Sequence, residues 1–287
     1  MGTPMAANLA RAGFDVQSFD RNRKGSCASA RQAARGAEAL ITMLPDGEAV
    51  REAVLEALPD LAEGAVVIDM SSSDPASTRA LLPALKAKNI SLLDAPVSGA
   101  IAKAKDATLA IMIGGEKETL DRVRPVLAAM GNNLFHVGPV GAGHAVKALN
   151  NYLGAAGTLA GFEALRVARA FGLDPRPMLE AINASTGRNS TTERKIPQQV
   201  LTGAFASGFK LALMAKDVGI AARLARDLGI DAPYLRKTLE LWRAAQKRLP
   251  AAADHTEMFH FLDKRKTPSR GAGAPRSNLR RKRRRST

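Results

Sequence analysis

The chain has 287 residues, 46% hydrophobic but only 4% aromatic, so it can fill one large or two ordinary domains with a core of Ala, Leu, Val and Ile. The single cysteine, Cys27, excludes an intramolecular disulfide, and no uncharged apolar run is long enough to suggest a membrane span. The net charge of +15 is a local property. Eleven Lys and Arg, with no acid, fall within residues 264–287, which leaves +4 on residues 1–263.

Residues 1–12 (MGTPMAANLARA) have the spacing of an amphipathic helix, with Pro4 in the first turn where its missing N–H is harmless. Gly13 ends it, and the alternation of DVQSFD predicts a strand over 15–20 that closes on Asp20. Residues 26–36 predict a helix. Residues 39–45 predict a buried strand stopped by Pro45, 46–58 a helix opened by Asp46, and 65–69 another buried strand. Ser71, Ser72, Ser73 and Asp74 precede Pro75 as a helix cap, and the helix is expected over 76–87. Strands follow near 90–98, 108–114 and 134–137, with a helix at 119–130. From 143 to 171 the pattern is helical throughout. Helices then recur near 176–185, 190–202, 210–228, 232–247 and 254–263 with no convincing strand, so an α/β half precedes an all-α half. No basic region followed by an apolar run opens the chain, so a cytoplasmic location is expected.

The most informative stretch is GPVGAGHAVKALNN at 138–151. Lys147 and Asn151 are four apart and share one helix face among small or apolar neighbours. Such a lysine either lays its stem along the core with its ammonium at the surface, or is a partly desolvated amine tuned for proton transfer. A second stretch, ISLLDAPVSG at 90–99, ends in Ser98 and Gly99, a hydroxyl beside free backbone N–H groups, which suits a carboxylate. Lys216 and Asp217, within LALMAKDVG at 211–219, read from the residues alone as a solvated ion pair. Asp20 is either a turn residue or an acceptor for an adenosine ribose, which favours NAD; Arg21 and Arg23 behind it suit a 2′-phosphate instead. His136 and His144 stand apart from other ligand types, and no HxxxH or CxxC occurs, so no metal is implied.

The G-x-G-x-x-x-K-x-x-N-N of 141–151, the D-A-P-V-S-G of 94–99 and the L-M-x-K-D of 213–217 resemble, in this order, the β-hydroxyacid dehydrogenases. That family includes 3-hydroxyisobutyrate dehydrogenase, tartronate semialdehyde reductase and their glyoxylate and succinic semialdehyde reductase relatives. The resemblance covers nearly all of residues 1–263. It implies a Rossmann-like α/β domain over 1–137, an all-α domain over 138–263 that begins with a long interdomain helix, and an active site in the cleft between them. It also implies Lys147 as general acid and base, Asn151 orienting the substrate hydroxyl or the lysine, and Ser98 and Gly99 holding the substrate carboxylate. NAD, with NADP as the alternative, would meet Met1, Gly2, Asp20, Arg21, Leu44, Pro45, Ser72 and Lys216. The implied partners are a small carboxylate substrate and further copies of the chain, as a homodimer or homotetramer, without a membrane.

Three departures from the family accompany these matches. Met1-Gly2 matches only the last two residues of the family's G-L-G-x-M-G loop, so the first strand and the first two glycines have no counterpart; a start codon assigned late would explain this. The sheet is then expected to lack an inner strand. Ala100 replaces the second glycine of D-A-P-V-S-G-G, and Ala107 replaces the glycine before Thr108, each adding a methyl where the family backbone has glycine's freedom. Residues 264–287, ending in RRKRRR, cannot bury a core and are expected to be disordered, with at most non-specific nucleic-acid contact. Two other readings follow from these departures: a degenerate, cofactor-free scaffold or non-functional truncated product, and a nucleic-acid-associated protein that acts through the tail.

Overall fold

The computed structural model describes residues 1–22 and 25–264; Arg23 and almost all of the basic tail lie outside the described residues. The first half runs α1 (Gly2–Arg11), α2 (Ala30–Ala34), β1 (Ala39–Thr42), α3 (Gly47–Ala57), β2 (Val66–Asp69), α4 (Pro75–Arg79), α5 (Leu82–Lys86), β3 (Ser91–Asp94), β4 (Val97–Ser98), α6 (Ala100–Lys105), β5 (Ala110–Gly114), α7 (Lys117–Ala128) and β6 (Asn133–Gly138). Strands β1, β2 and β3 are parallel neighbours, β5 pairs antiparallel with β3 and β4, and β6 lies parallel against β5. This is a Rossmann-like mixed sheet with helices on its faces.

β2 is paired on both edges and buried at all four positions because apolar clusters cover both its faces, Val66 and Ile68 on one side and Val67 on the other. β1 was expected to be buried as well, yet three of its four residues are only half-buried, because its outer edge meets no strand among the described residues. The strand expected at 15–20 does not form. Its backbone makes no ladder; local bonds hold it instead, from Cys27 N–H to Ser18 O at 2.9 Å and from Ser18 N–H to Ser26 Oγ at 2.8 Å. Asp20 therefore ends an extended, unpaired segment rather than a strand. The helix expected over 76–87 is broken into α4 and α5, with Pro83 in the first turn of the second, where its missing N–H is tolerated. α6 went unforeseen.

One apolar cluster joins α1 to the sheet through Met5, Leu9, Ile68, Leu93 and Ile111. Val50, Val54, Val67, Leu85 and Leu92 fill the opposite face. Beyond β6 the described chain is helical: α8 (Ala142–Phe171), α9 (Pro175–Asn183), a π-helical segment Thr191–Val200, α10 (Leu211–Asp227), α11 (Pro233–Arg248) and α12 (Met258–Asp263). They pack around Phe162, Trp242 and Met258. α8 has thirty residues, about 45 Å, so it begins against the sheet and runs through the helical half. No helix among the described residues is long and apolar enough to cross a membrane.

Candidate active site

The start of α8 explains its glycines. Gly141 is left-handed at φ 92°, and a side chain at Gly143 would overlap the carbonyl oxygens of Met112 and Asp94. Glycine at both lets α8 begin in contact with β3 and β5. Asp94, at the end of β3, fastens that start: its carboxylate accepts the N–H of Gly141 at 2.6 Å and of His144 at 2.8 Å. Burial raises the Asp94 pKa, opposed by His144 and by these two N–H groups. The His144 ring is buried, with Nδ1 2.8 Å from Thr78 Oγ1 and Nε2 3.1 Å from Ser71 O, so it anchors the helix.

Two turns into α8, Lys147 and Asn151 are each only 9% exposed. Both line a cleft of about 2420 Å³ whose walls come from the sheet (Ser72, Ser98, Gly99) and from the helical half (Lys216, Asp217). The Lys147 Nζ makes no hydrogen bond to any described residue. Burial pushes its pKa below the ordinary lysine value; the negative charge of Asp217 opposes that and the positive charge of Lys216 adds to it. Asn151 Nδ2 donates to Asp217 Oδ2 at 2.6 Å. Burial raises the Asp217 pKa, opposed chiefly by Lys216, whose Nζ is 3.3 Å away.

Lys216 reaches from α10 to the sheet, donating to Pro45 O at 2.8 Å and Ser72 O at 2.7 Å. Leu44 and Pro45 follow β1 and Ser72 follows β2, so the lysine spans the loops at the carboxyl ends of two parallel strands. These loops are themselves fixed. Leu44 N–H donates to Ser71 Oγ at 2.8 Å, and the buried Asp69 carboxylate accepts from Thr42, Ser73 and the Ser71 N–H. Met1 and Gly2, at the start of α1, and the exposed Asp20 and Arg21 line the same cleft. Asp20 accepts the Asn22 N–H at 2.8 Å, and Arg21 pairs with Glu52 at 3.1 Å.

Ser98 lies in β4 opposite Ala110, and Gly99 follows at φ 140°. The two flagged alanines take glycine's conformation, Ala100 at φ 56° and Ala107 at φ 54°. The structure thus brings Ser72, Ser98, Gly99, Lys147, Asn151 and Lys216 to one cleft. Sequence reasoning missed the position of Asp217 between Asn151 and Lys216; its only signal was adjacency to Lys216.

The cleft fits a dinucleotide. The first turn of α1 has no side-chain cap, so its N–H groups remain free, and a β-carbon at Gly2 would meet only the Met43 side chain. An open helix start and the Lys216 ammonium can donate to phosphates, and the Asp20 carboxylate can accept from ribose hydroxyls.

Fold and cleft together define a nicotinamide-dependent oxidoreductase. Residues 1–138 match the NAD binding domain of 6-phosphogluconate dehydrogenase, and residues 141–262 match the NAD-binding family of NADP-dependent 3-hydroxyisobutyrate dehydrogenase. The NAD-dependent L-serine dehydrogenase of Pseudomonas aeruginosa is 35% identical over 92% of this chain and 95% of its own. The 3-hydroxyisobutyrate dehydrogenase of the same organism is 37% identical over 81% and 85%. The solved Mycobacterium tuberculosis 3-hydroxyisobutyrate dehydrogenase with L-serine superposes with a TM-score of 0.85 at 32% identity, over 91% of this chain and 95% of that one. The chain belongs to the β-hydroxyacid dehydrogenase family. It is an NAD(P)-dependent hydroxyacid dehydrogenase.

Proposed function

We propose that the enzyme interconverts a short 3-hydroxyacid and its semialdehyde, of the 3-hydroxyisobutyrate or tartronate semialdehyde type. The observation that carries this is the Lys147 amine. It is nearly buried, depressed in pKa and without an acceptor among the described residues, and it lines the cleft shared by Ser98, Gly99 and Asn151. In reduction, Lys147 gives its proton to the carbonyl oxygen; in oxidation, the neutral amine takes the hydroxyl proton. Ser98 and the backbone at Gly99 hold the carboxylate, and Asn151, steadied by Asp217, orients the reacting oxygen. The nicotinamide, when bound, exchanges hydride with the substrate carbon.

In this reading Met1, Gly2, Asp20, Leu44, Pro45, Ser72 and Lys216 hold the dinucleotide. Residues 1–137 serve as the cofactor domain and 138–263 as the helical domain. NAD is favoured over NADP because Asp20 suits an unphosphorylated ribose and Arg21 is engaged by Glu52. Leu153, Val167 and Phe171 on α8 are 68%, 69% and 81% exposed, which supports assembly as a homodimer or homotetramer. The test is a screen of short 3-hydroxyacids with NAD and NADP on wild type and Lys147→Ala. Turnover of at least one acid by wild type, and a loss of ~10²–10⁴-fold in the variant, is expected. Full activity in the variant would reject the assignment.

A further inference from the structure

Among the cations that line the cleft and that the reaction above does not use, Lys195 is tied to the helix of Lys147 and Asn151. Lys195, in the π-helical segment Thr191–Val200, is half-buried and lines the same cleft as Ser98, Gly99, Lys147 and Asn151. Its Nζ donates to Thr158 Oγ1 at 2.7 Å, and the Thr158 hydroxyl in turn donates to Gly154 O at 2.7 Å. Thr158 lies two turns beyond Asn151 on the same side of α8, about 10 Å along the axis. The lysine is therefore fastened to the face that carries the proton-transfer pair.

Its charge is not matched by a dedicated acid. Among the described residues Lys195 has no ion-pair partner, and the acid that acts on it, Asp254, is already committed. Asp254 accepts from Ser207 Oγ, from Thr256 Oγ1 and from the N–H groups of Gly208 and Thr256. Arg194 adds repulsion, and burial together with that repulsion lowers the Lys195 pKa to about 8, so the ammonium form still prevails at neutral pH. A lysine that served only to tether the segment to Thr158 would bear this desolvation for one neutral hydroxyl. Facing a cleft that takes anions, it has a use for the charge.

We propose that Lys195 is a specificity-determining residue that binds a second carboxylate on the substrate, carried several carbons beyond the reacting oxygen. The preferred 3-hydroxyacid is then dicarboxylic. This rests on the reading of Lys147 and Ser98 above only for the position of the reacting end; the second anion site stands on Lys195 itself.

The test compares the full chain as wild type, Lys195→Met and Lys195→Arg. The substrates are 3-hydroxyisobutyrate and 2-(hydroxymethyl)glutarate, in which a carboxyethyl group replaces the methyl. Wild type should favour the dicarboxylate at least tenfold in kcat/KM. Lys195→Met should reduce that ratio at least tenfold through KM, and Lys195→Arg should restore most of it. Calorimetric binding of glutarate, with butyrate as control, reads the site without turnover. Glutarate should bind at least tenfold more weakly to Lys195→Met. Equal losses for both acids, a wild-type ratio of one or below, or unchanged glutarate affinity would each overturn the proposal. If neither acid is turned over while glutarate binding still depends on Lys195, the reaction assigned to Lys147 fails and the anion site remains.

Discussion

Asn151 donates to Asp217 across 2.6 Å, and this bond joins the helix of Lys147 to the helix of Lys216. Asp217 does two things at once: it fixes the amide one turn from the amine, and its charge supports the protonated form of Lys147. In Asp217→Asn the supporting charge is gone, so the Lys147 pKa falls further. The alkaline limb of the reduction profile should move to lower pH, and kcat should fall about tenfold, since hydrogen bonds to charged groups are worth ~1.5–3 kcal/mol. The pH–rate profile checks this; an unmoved limb would mean that Asp217 does not act on Lys147.

Lys147→Ala should lower turnover by ~10²–10⁴, the usual contribution of a positioned acid or base. Folding should survive. The amine makes no hydrogen bond to a described residue, and its desolvation opposes burial of the charged form. Thermal unfolding of the variant is expected at or above the wild-type temperature. A large drop would assign the lysine a structural role.

Lys216→Met removes both bonds to the carbonyls of Pro45 and Ser72. The side chain is 27% exposed, so screening reduces each to ~1 kcal/mol. NADH affinity, read by fluorescence titration, should weaken about tenfold, with a smaller change in substrate KM. The opposite pattern would place Lys216 with the substrate.

Much of this site is contiguous in sequence, and there it was legible. Gly141, Gly143, Lys147 and Asn151 lie within eleven residues whose spacing alone puts amine and amide on one helix face. Asp217 and Lys195 were not legible as partners. Their roles depend on how α10 and the π-helical segment pack on α8, and no periodicity encodes that. The segment 15–20 fails for a related reason: alternation describes a strand's faces but does not supply the neighbour its backbone must pair with. Pro83 shows the reverse, a local restraint that interrupts a helical pattern otherwise read as continuous.

Ala100 and Ala107 hold φ 56° and 54°, where a β-carbon costs ~1–2 kcal/mol. Glycine removes that strain but adds chain entropy to the unfolded state, ~0.5–1 kcal/mol. Ala107→Gly, outside the α6 helix, should therefore stabilise by ~0.5–1 kcal/mol in denaturant unfolding. Ala100→Gly, the first residue of α6, should gain less because glycine also weakens the helix. A loss of stability at Ala107 would show that its methyl packs usefully.

His255 gives the acid side of the stability curve a particular shape. Its Nδ1 lies 2.9 Å from Ser207 Oγ and 3.2 Å from Phe209 O. Burial and the charge of Lys195 lower its pKa to about 4, opposed by Asp254 and the Phe209 carbonyl. Between the ordinary value of 6.5 and about 4, the unfolded chain binds a proton here that the folded chain does not. The stability from this site is complete above pH 6.5 and is lost as pH falls through that window, ~3 kcal/mol in all. Asp254, held below the usual carboxylate value by Thr256 and Ser207, adds a loss of the same sign at lower pH. In His255→Gln the dependence of unfolding free energy on pH between 6.5 and 4.5 should weaken by close to one proton. An unchanged slope would mean that His255 is not held neutral in the native protein.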